Sequence, residues 1–546
     1  MRIIKIFFII FLSFLKLYPI LEDKDRTFEQ FLDNFISKIE IKEEQVNKAI
    51  WLLETTGSKD AADLVATLDS EYKIYFSDEE VYEKLIYFEK DGLQNPILKR
   101  ELKILLNTFK ANMLPKSILI DLSKKEAELF QTYANFRANI EGKRVTENMI
   151  REILKNETDV KTRKIAWEAS KEIGLELADK IIDIAKLRNK AANHLGYNNY
   201  FEMQLDLNEM SKEVLFDTFN DLKVHTDDSF KKMLLEVNEI LAKTYNVGVD
   251  EIGTWAWKDP FCQIDPIESV QLKDLYADKD VLEIAKCFYE KMGFEIEDLV
   301  KRSDLYEKEG KNQHAFCIDI DRKGDVRTLN NIHPNSQWME TLLHEFGHGI
   351  YDLNIDRNLP WLLRTASHTI TTEALALFMG RQAYTAQFLE EFLNSTNNEL
   401  LDSIEKGIKR KQLVFSRSAF LITEFEKEFY SNPDQDLNKL WWDLFEKYYY
   451  MKRPENREDK QDWASKYHIG LAPVYYYCYL IGEVFASTLQ KKILEVTKED
   501  RIWRKGAAKF LTERLFMPGN KYRWDDLIEY VTGKQFSSDA WVQECN

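Results

Sequence analysis

Between residues 23 and 210, apolar side chains recur at the period of an α-helix with little to interrupt them. Phe28, Phe31, Phe35, Ile36 and Ile39 form one such stripe, and Ile173, Leu177, Ile181 and Ile184 another. Glycine and proline, which end helices and build turns, number only 19 and 11 in 546 residues. Long helices are therefore expected, and the fold class reads as mainly α. One stretch differs. Residues 314–321 lean towards β-structure, Gly324-Asp325 supplies a turn, and Val326–Leu329 can return as a second strand, so a small hairpin is predicted.

A chain of this length exceeds the size at which one core usually stops growing, so two domains or one large two-lobed body are expected. The net charge of −17, with no long basic run, argues against nucleic acid or anionic lipid as a main partner. Five scattered cysteines without CxxC spacing read neither as a disulfide framework nor as a metal site. At the start, Arg2 and Lys5 precede an apolar run over residues 6–15, broken only by Ser13 and ended by Lys16. Residues 1–21 thus read as a signal peptide, with an uncleaved anchor or a buried helix as alternatives, and export is expected. Residues 22–546 remain for the working domain, with its chemical core at about 310–490.

The chemistry concentrates after Pro334-Asn335-Ser336, where Asn335 or Ser336 can cap a new helix. That helix carries the apolar stripe Met339, Leu342, Leu343, Phe346 and Ile350. His344 and His348 lie one turn apart on a neighbouring face, the spacing at which two imidazoles reach one zinc ion. Glu345 stands beside the first ligand, placed to act as a base without binding the metal. An HExxH string alone is weak, but five of the eight histidines fall between 314 and 368. The third ligand should come from a following helix. Glu373, beside an apolar stripe on the next predicted helix, is preferred, with His368 just before that helix as competitor. Asp352, four residues after His348, can orient the imidazole or be a solvated acid near the helix end.

These residues resemble the angiotensin-converting-enzyme family of gluzincin peptidases and its relatives, the thimet-type oligopeptidases. The resemblance spans roughly residues 160–490. It rests on Ala166-Trp-Glu-Ala with Ala192-Asn-His194, on His314-Ala-Phe-Cys317, on His344-Glu-Phe-Gly-His348 with Glu373, and on Asp462-Trp-Ala-Ser-Lys466-Tyr-His468 leading into Pro473-Val-Tyr-Tyr-Tyr-Cys-Tyr479. It implies a helical body split by a deep cleft, one zinc ion per chain and short peptides as substrates. It further implies that His314 and Ala315 hold the substrate backbone, that His468 contacts a substrate carbonyl and that Tyr479, supported by Tyr476, hydrogen-bonds the oxyanion.

The sequence also departs from that pattern. The converting enzymes grip a C-terminal carboxylate with a glutamine, a lysine and a tyrosine. Lys466 and Tyr476 resemble the last two, while Trp257 takes the glutamine's place. Tyr477 or Cys478 replaces the arginine linked to chloride, so chloride activation is not expected. Dipeptidyl-carboxypeptidase-like hydrolysis is the leading expectation. An endo-acting oligopeptidase, a single-residue carboxypeptidase and a non-catalytic peptide binder are the alternatives.

Overall fold

A computed structural model describes residues 24–267, 275–312, 314–395 and 397–546. The leader read over residues 1–21 lies outside them. No helix among the described residues is long and apolar enough to cross a membrane. The fold is mainly α, and the strands among the described residues make two small antiparallel pairs.

The chain divides into two compact units. Among the described residues, the first comprises 24–50 and 59–113. Its described helices are α1 (Lys24–Thr56, up to residue 50), α2 (Lys59–Tyr75), α3 (Glu79–Asp91) and α4 (Pro96–Asn112). On α1, Phe28, Leu32, Phe35 and Ile39 are buried at helical spacing, and Phe28 packs on Phe88 of α3 with ring centroids 4.9 Å apart. Asp78 caps α3, and Asn95 caps α4 ahead of its first-turn proline.

The second unit takes residues 51–58 and 114–546. On α5 (Ile173–His194) the predicted stripe Ile173, Leu177, Ile181 and Ile184 is buried. The predicted hairpin is present: β1 (Phe316–Asp319) pairs antiparallel with β2 (Val326–Leu329), Phe316 opposite Leu329. Asp319 accepts the amides of Asp321 and Arg322, and Asp321 those of Lys323 and Asp325, so the turn is held by its own carboxylates. The far edge of β2 is bridged by Asp304. The register and the bond from Ile320 N–H to Asp325 C=O aim residues 316, 318 and 320 at β2. Cys317 and Asp319 therefore direct their backbone groups to the opposite edge.

Three helices carry the chemical centre: α6 (Ser336–Leu353), α7 (Thr369–Gly380) and α8 (Tyr477–Thr497). Asn335 caps α6 by accepting the amide of Trp338 at 2.8 Å. Apolar almost all round, α7 is buried between α6 and α8. Two glycines let α6 and α7 approach. A Cβ on Gly347 would stand 3.2 Å from the Ala376 Cα, and one on Gly380 would stand 3.1 Å from the Glu340 carbonyl oxygen. That closeness brings the histidine face of α6 against the lone carboxylate of α7.

Candidate active site

His344, His348 and Glu373 converge. The two Nε2 atoms lie 3.2 Å apart, and Glu373 Oε2 lies 3.7 Å from His344 Nε2 and 4.0 Å from His348 Nε2. Donors each about 2.0–2.1 Å from one zinc ion are separated by at most about 4.2 Å, so all three distances fit a shared cation. Burial pushes His344 down to about 4 and His348 well below the usual imidazole value, so both rings are neutral and carry lone pairs at pH 7. Glu373 Oε2 is buried and has no hydrogen-bond partner, an expensive state unless a cation or proton meets it. Among the described residues this is the one group of three such donors.

His368, the competing ligand, has another task. Its Nδ1 accepts the amide of Ile370 at 2.9 Å and caps α7. The structure also corrects the reading of Asp352 as the residue that orients an imidazole. His348 Nδ1 meets Thr372 Oγ1 at 2.6 Å, one residue before Glu373 on α7. Four residues along α6 turn Asp352 about 40° round the axis. There it feels the charges of Asp319, Arg357 and Arg322, and burial lifts its carboxyl to about 7.

Glu345 is buried beside the donors, and its carboxyl is raised to about 8, first by burial and then by the charge of Glu373. The other oxygen of Glu373 accepts the Tyr475 hydroxyl at 3.2 Å. The Tyr479 ring is 5.2 Å from Tyr475 and 5.6 Å from Tyr476, and burial followed by Glu373 raises its phenol to about 12. His468 stands edge-on to Tyr476 at 4.9 Å. Burial, then Lys466, pushes His468 down to about 3, and its Nδ1 is buried without a partner. His314 is exposed just ahead of β1, its amide held by Asn312 Oδ1 at 2.9 Å, with Ala315 half-buried after it.

A second polar group corrects the reading of Trp257. That side chain is fully buried, edge-on to Tyr449, so it presents nothing to a ligand. The amide is supplied six residues later by Gln263. Lys466 Nζ donates to Gln263 Oε1 at 2.8 Å, and Gln263 Nε2 donates to the Tyr476 hydroxyl at 2.8 Å. Buried Asp259 shapes this loop by accepting the amides of Phe261, Gln263 and Ile264. Burial brings Lys466 down to about 7, opposed by Asp259. A glutamine, a lysine and a tyrosine thus stand together as ready partners for a carboxylate.

Sequence reasoning missed Thr372, Tyr475 and Gln263. Thr372 gave no local signal, because its bond to His348 forms only where α6 and α7 pack together. Gln263 gave no signal, because its partners lie about two hundred residues away.

Residues 297–546 match the profile of peptidase family M3, and residues 22–234 match that of angiotensin-converting enzyme. Oligoendopeptidase F from Lactococcus lactis subsp. cremoris is 24% identical over 352 residues, covering 57% of this chain and 55% of its own. Group B oligopeptidase PepB from Streptococcus agalactiae is 26% identical over 206 residues, covering 37% and 32%. Carboxypeptidase 1 from Bacillus subtilis is 25% identical over 259 residues, covering 41% and 50%. The matched stretches span about half or less of each relative's own length.

Proposed function

We propose, from the premise that this chain belongs to the gluzincin peptidases related to the thimet-type oligopeptidases, that it hydrolyses bonds near the C-terminus of short peptides. One zinc ion per chain would be held by His344, His348 and Glu373. The observation that carries the metal reading is the buried, unpartnered Oε2 of Glu373 facing two neutral imidazoles.

Zinc, when bound, supplies a Lewis acid that polarises the scissile carbonyl and brings the pKa of water towards ~7. Glu345 takes the proton of the attacking water and delivers it to the leaving amine nitrogen. Tyr479 donates to the developing oxyanion, a role whose loss typically costs about 2.7–4 kcal/mol. His468 meets a substrate carbonyl. His314 and Ala315 lead the peptide towards the edge of β1 that faces away from β2, where an extended segment can be held through its main chain. Gln263, Lys466 and Tyr476 grip the terminal carboxylate.

The names of the relatives favour a second reading as well, because oligoendopeptidases stand among them beside a carboxypeptidase. Peptides with free and amidated C-termini, digested by zinc-loaded enzyme and analysed by mass spectrometry, separate the two. Carboxylate-gripping action predicts C-terminal products from free peptides and strong loss on amidation. Equal internal cleavage of both would establish endo action instead. No hydrolysis across a broad library by fully zinc-loaded protein would leave a peptide-binding protein.

A further inference from the structure

The segment between His468 and Tyr479 contains a backbone irregularity that the chemistry above does not use. Val474 has φ of 58°, the one β-branched residue at positive φ among the described residues. A Cβ branched in this way clashes with its own backbone in the left-handed region, so such a conformation persists only where surrounding contacts over-determine it. The contact here is specific. Val474 N–H donates to Oε1 of Glu426 at 2.7 Å. Glu426 is 1% exposed, on the helix Asn398–Ser431. The next two residues are Tyr475, whose hydroxyl bonds Glu373, and Tyr476, whose hydroxyl receives Gln263. One strained turn therefore aims both the phenol on the third metal ligand and the phenol of the carboxylate grip. The preceding stretch is tied down as well, since Arg188 Nη2 donates to the Gly470 carbonyl at 3.1 Å.

We infer that Glu426 is a positioning residue, which latches the left-handed Val474 so that Tyr475 holds one oxygen of Glu373 and leaves the other facing the two imidazoles. It touches neither substrate nor metal and acts through the backbone. The inference rests on the metal reading of His344, His348 and Glu373. Burial raises the Glu426 carboxyl to about 8, so at pH 7 it is a neutral acid whose accepting oxygen glutamine reproduces.

The test compares wild type with Glu426→Gln, Glu426→Asp, Tyr475→Phe and the Glu426→Asp/Tyr475→Phe double variant. Zinc affinity is measured by competition with a chromophoric chelator. kcat and KM are measured on a quenched fluorogenic peptide with a free C-terminus. Glutamine keeps the accepting oxygen and stays close to wild type. Aspartate, one methylene too short, weakens zinc binding about 10- to 100-fold, as losses of ligand-orienting partners do, and lowers kcat more than it raises KM. Tyr475→Phe has the same effect, and the double variant is no worse than the weaker single variant, because both break one path. Folded Glu426→Asp protein with wild-type zinc affinity and kcat would overturn the inference, as would losses that multiply in the double variant. If Glu426→Asp does not fold, Glu426→Asp/Val474→Gly decides. Glycine takes φ 58° without strain, so this protein should fold and bind zinc within about tenfold of wild type, and failure to do so counts against the latch. Wild-type protein that binds no zinc sinks the metal reading and the inference with it. Wild type that binds zinc, with indifferent variants, sinks the inference alone.

Discussion

At the scale of single residues, the site is built by drawing polar atoms into a largely buried setting. The His344 and His348 rings are held neutral, and Glu373 keeps one buried oxygen without a hydrogen bond. Glu345 is buried beside them but is not one of the three candidate metal donors, and its proposed role is that of the base. Glu345→Gln should therefore retain zinc in a chelator titration while lowering kcat about 10²- to 10⁴-fold, the usual worth of a general base. Unchanged turnover would remove Glu345 from that role. Glu426 offers a pH test independent of catalysis. It is faced by Arg188, Tyr200, Tyr430 and Tyr477. Its folded-state value of about 8 lies above the unfolded value of 4.5, so the folded state binds the extra proton between those limits. The stability it contributes is complete below the unfolded value and is lost as pH rises through about 8. The Tm of wild type should consequently fall relative to that of Glu426→Gln between pH 5 and pH 8, as followed by thermal melts at matched ionic strength. His344, Glu345 and His348 were legible because their relation is local to one helix. The bond from Thr372 to His348 belongs to a different order, since it exists only where two helices meet.

At the scale of elements, α6 and α7 define the centre by how closely they approach. Gly347 faces the Ala376 backbone, which cannot swing aside as a side-chain end can. Gly347→Val should cost about 1–3 kcal/mol of stability in a urea melt, the usual price of overpacking, and should weaken zinc binding in parallel because the proposed ligands sit on the displaced faces. A second element-level expectation concerns Thr372. Thr372→Val keeps the shape of α7 but removes the oxygen that meets His348 Nδ1, and zinc affinity should fall about 10- to 100-fold with little change in the melt. Equal affinity in the chelator assay would return the orienting role to another group. The hairpin and the cap of α6 could be read in advance because turn and cap chemistry is carried by neighbouring residues such as Asp319, Asp321 and Asn335. The extent of β1 could not. The β-leaning run began at His314, but pairing starts at Phe316, where β2 supplies partners.

At the scale of the whole molecule, the proposed metal site joins α6 and α7 and, through Tyr475, the turn that leads into α8, so its occupancy should be felt in global stability. Zinc at about 100 times its Kd adds roughly 2.7 kcal/mol to a folded state that alone binds it. Treatment with a chelator should thus lower Tm and abolish peptide hydrolysis together, and added zinc should restore both. Activity lost without any change in the melt would argue against a site shared between these helices. By itself the sequence determined the helical class, the hairpin and the HExxH pair, because periodicity, caps, turns and i, i+4 spacing are short-range properties of the chain. Only the tertiary structure decided that Thr372 rather than Asp352 meets His348. It alone put Gln263 rather than Trp257 beside Lys466 and Tyr476, and set a strained valine behind the tyrosines. Each of those contacts joins residues brought together by packing, and the direction a side chain takes there depends on neighbours that local sequence does not specify.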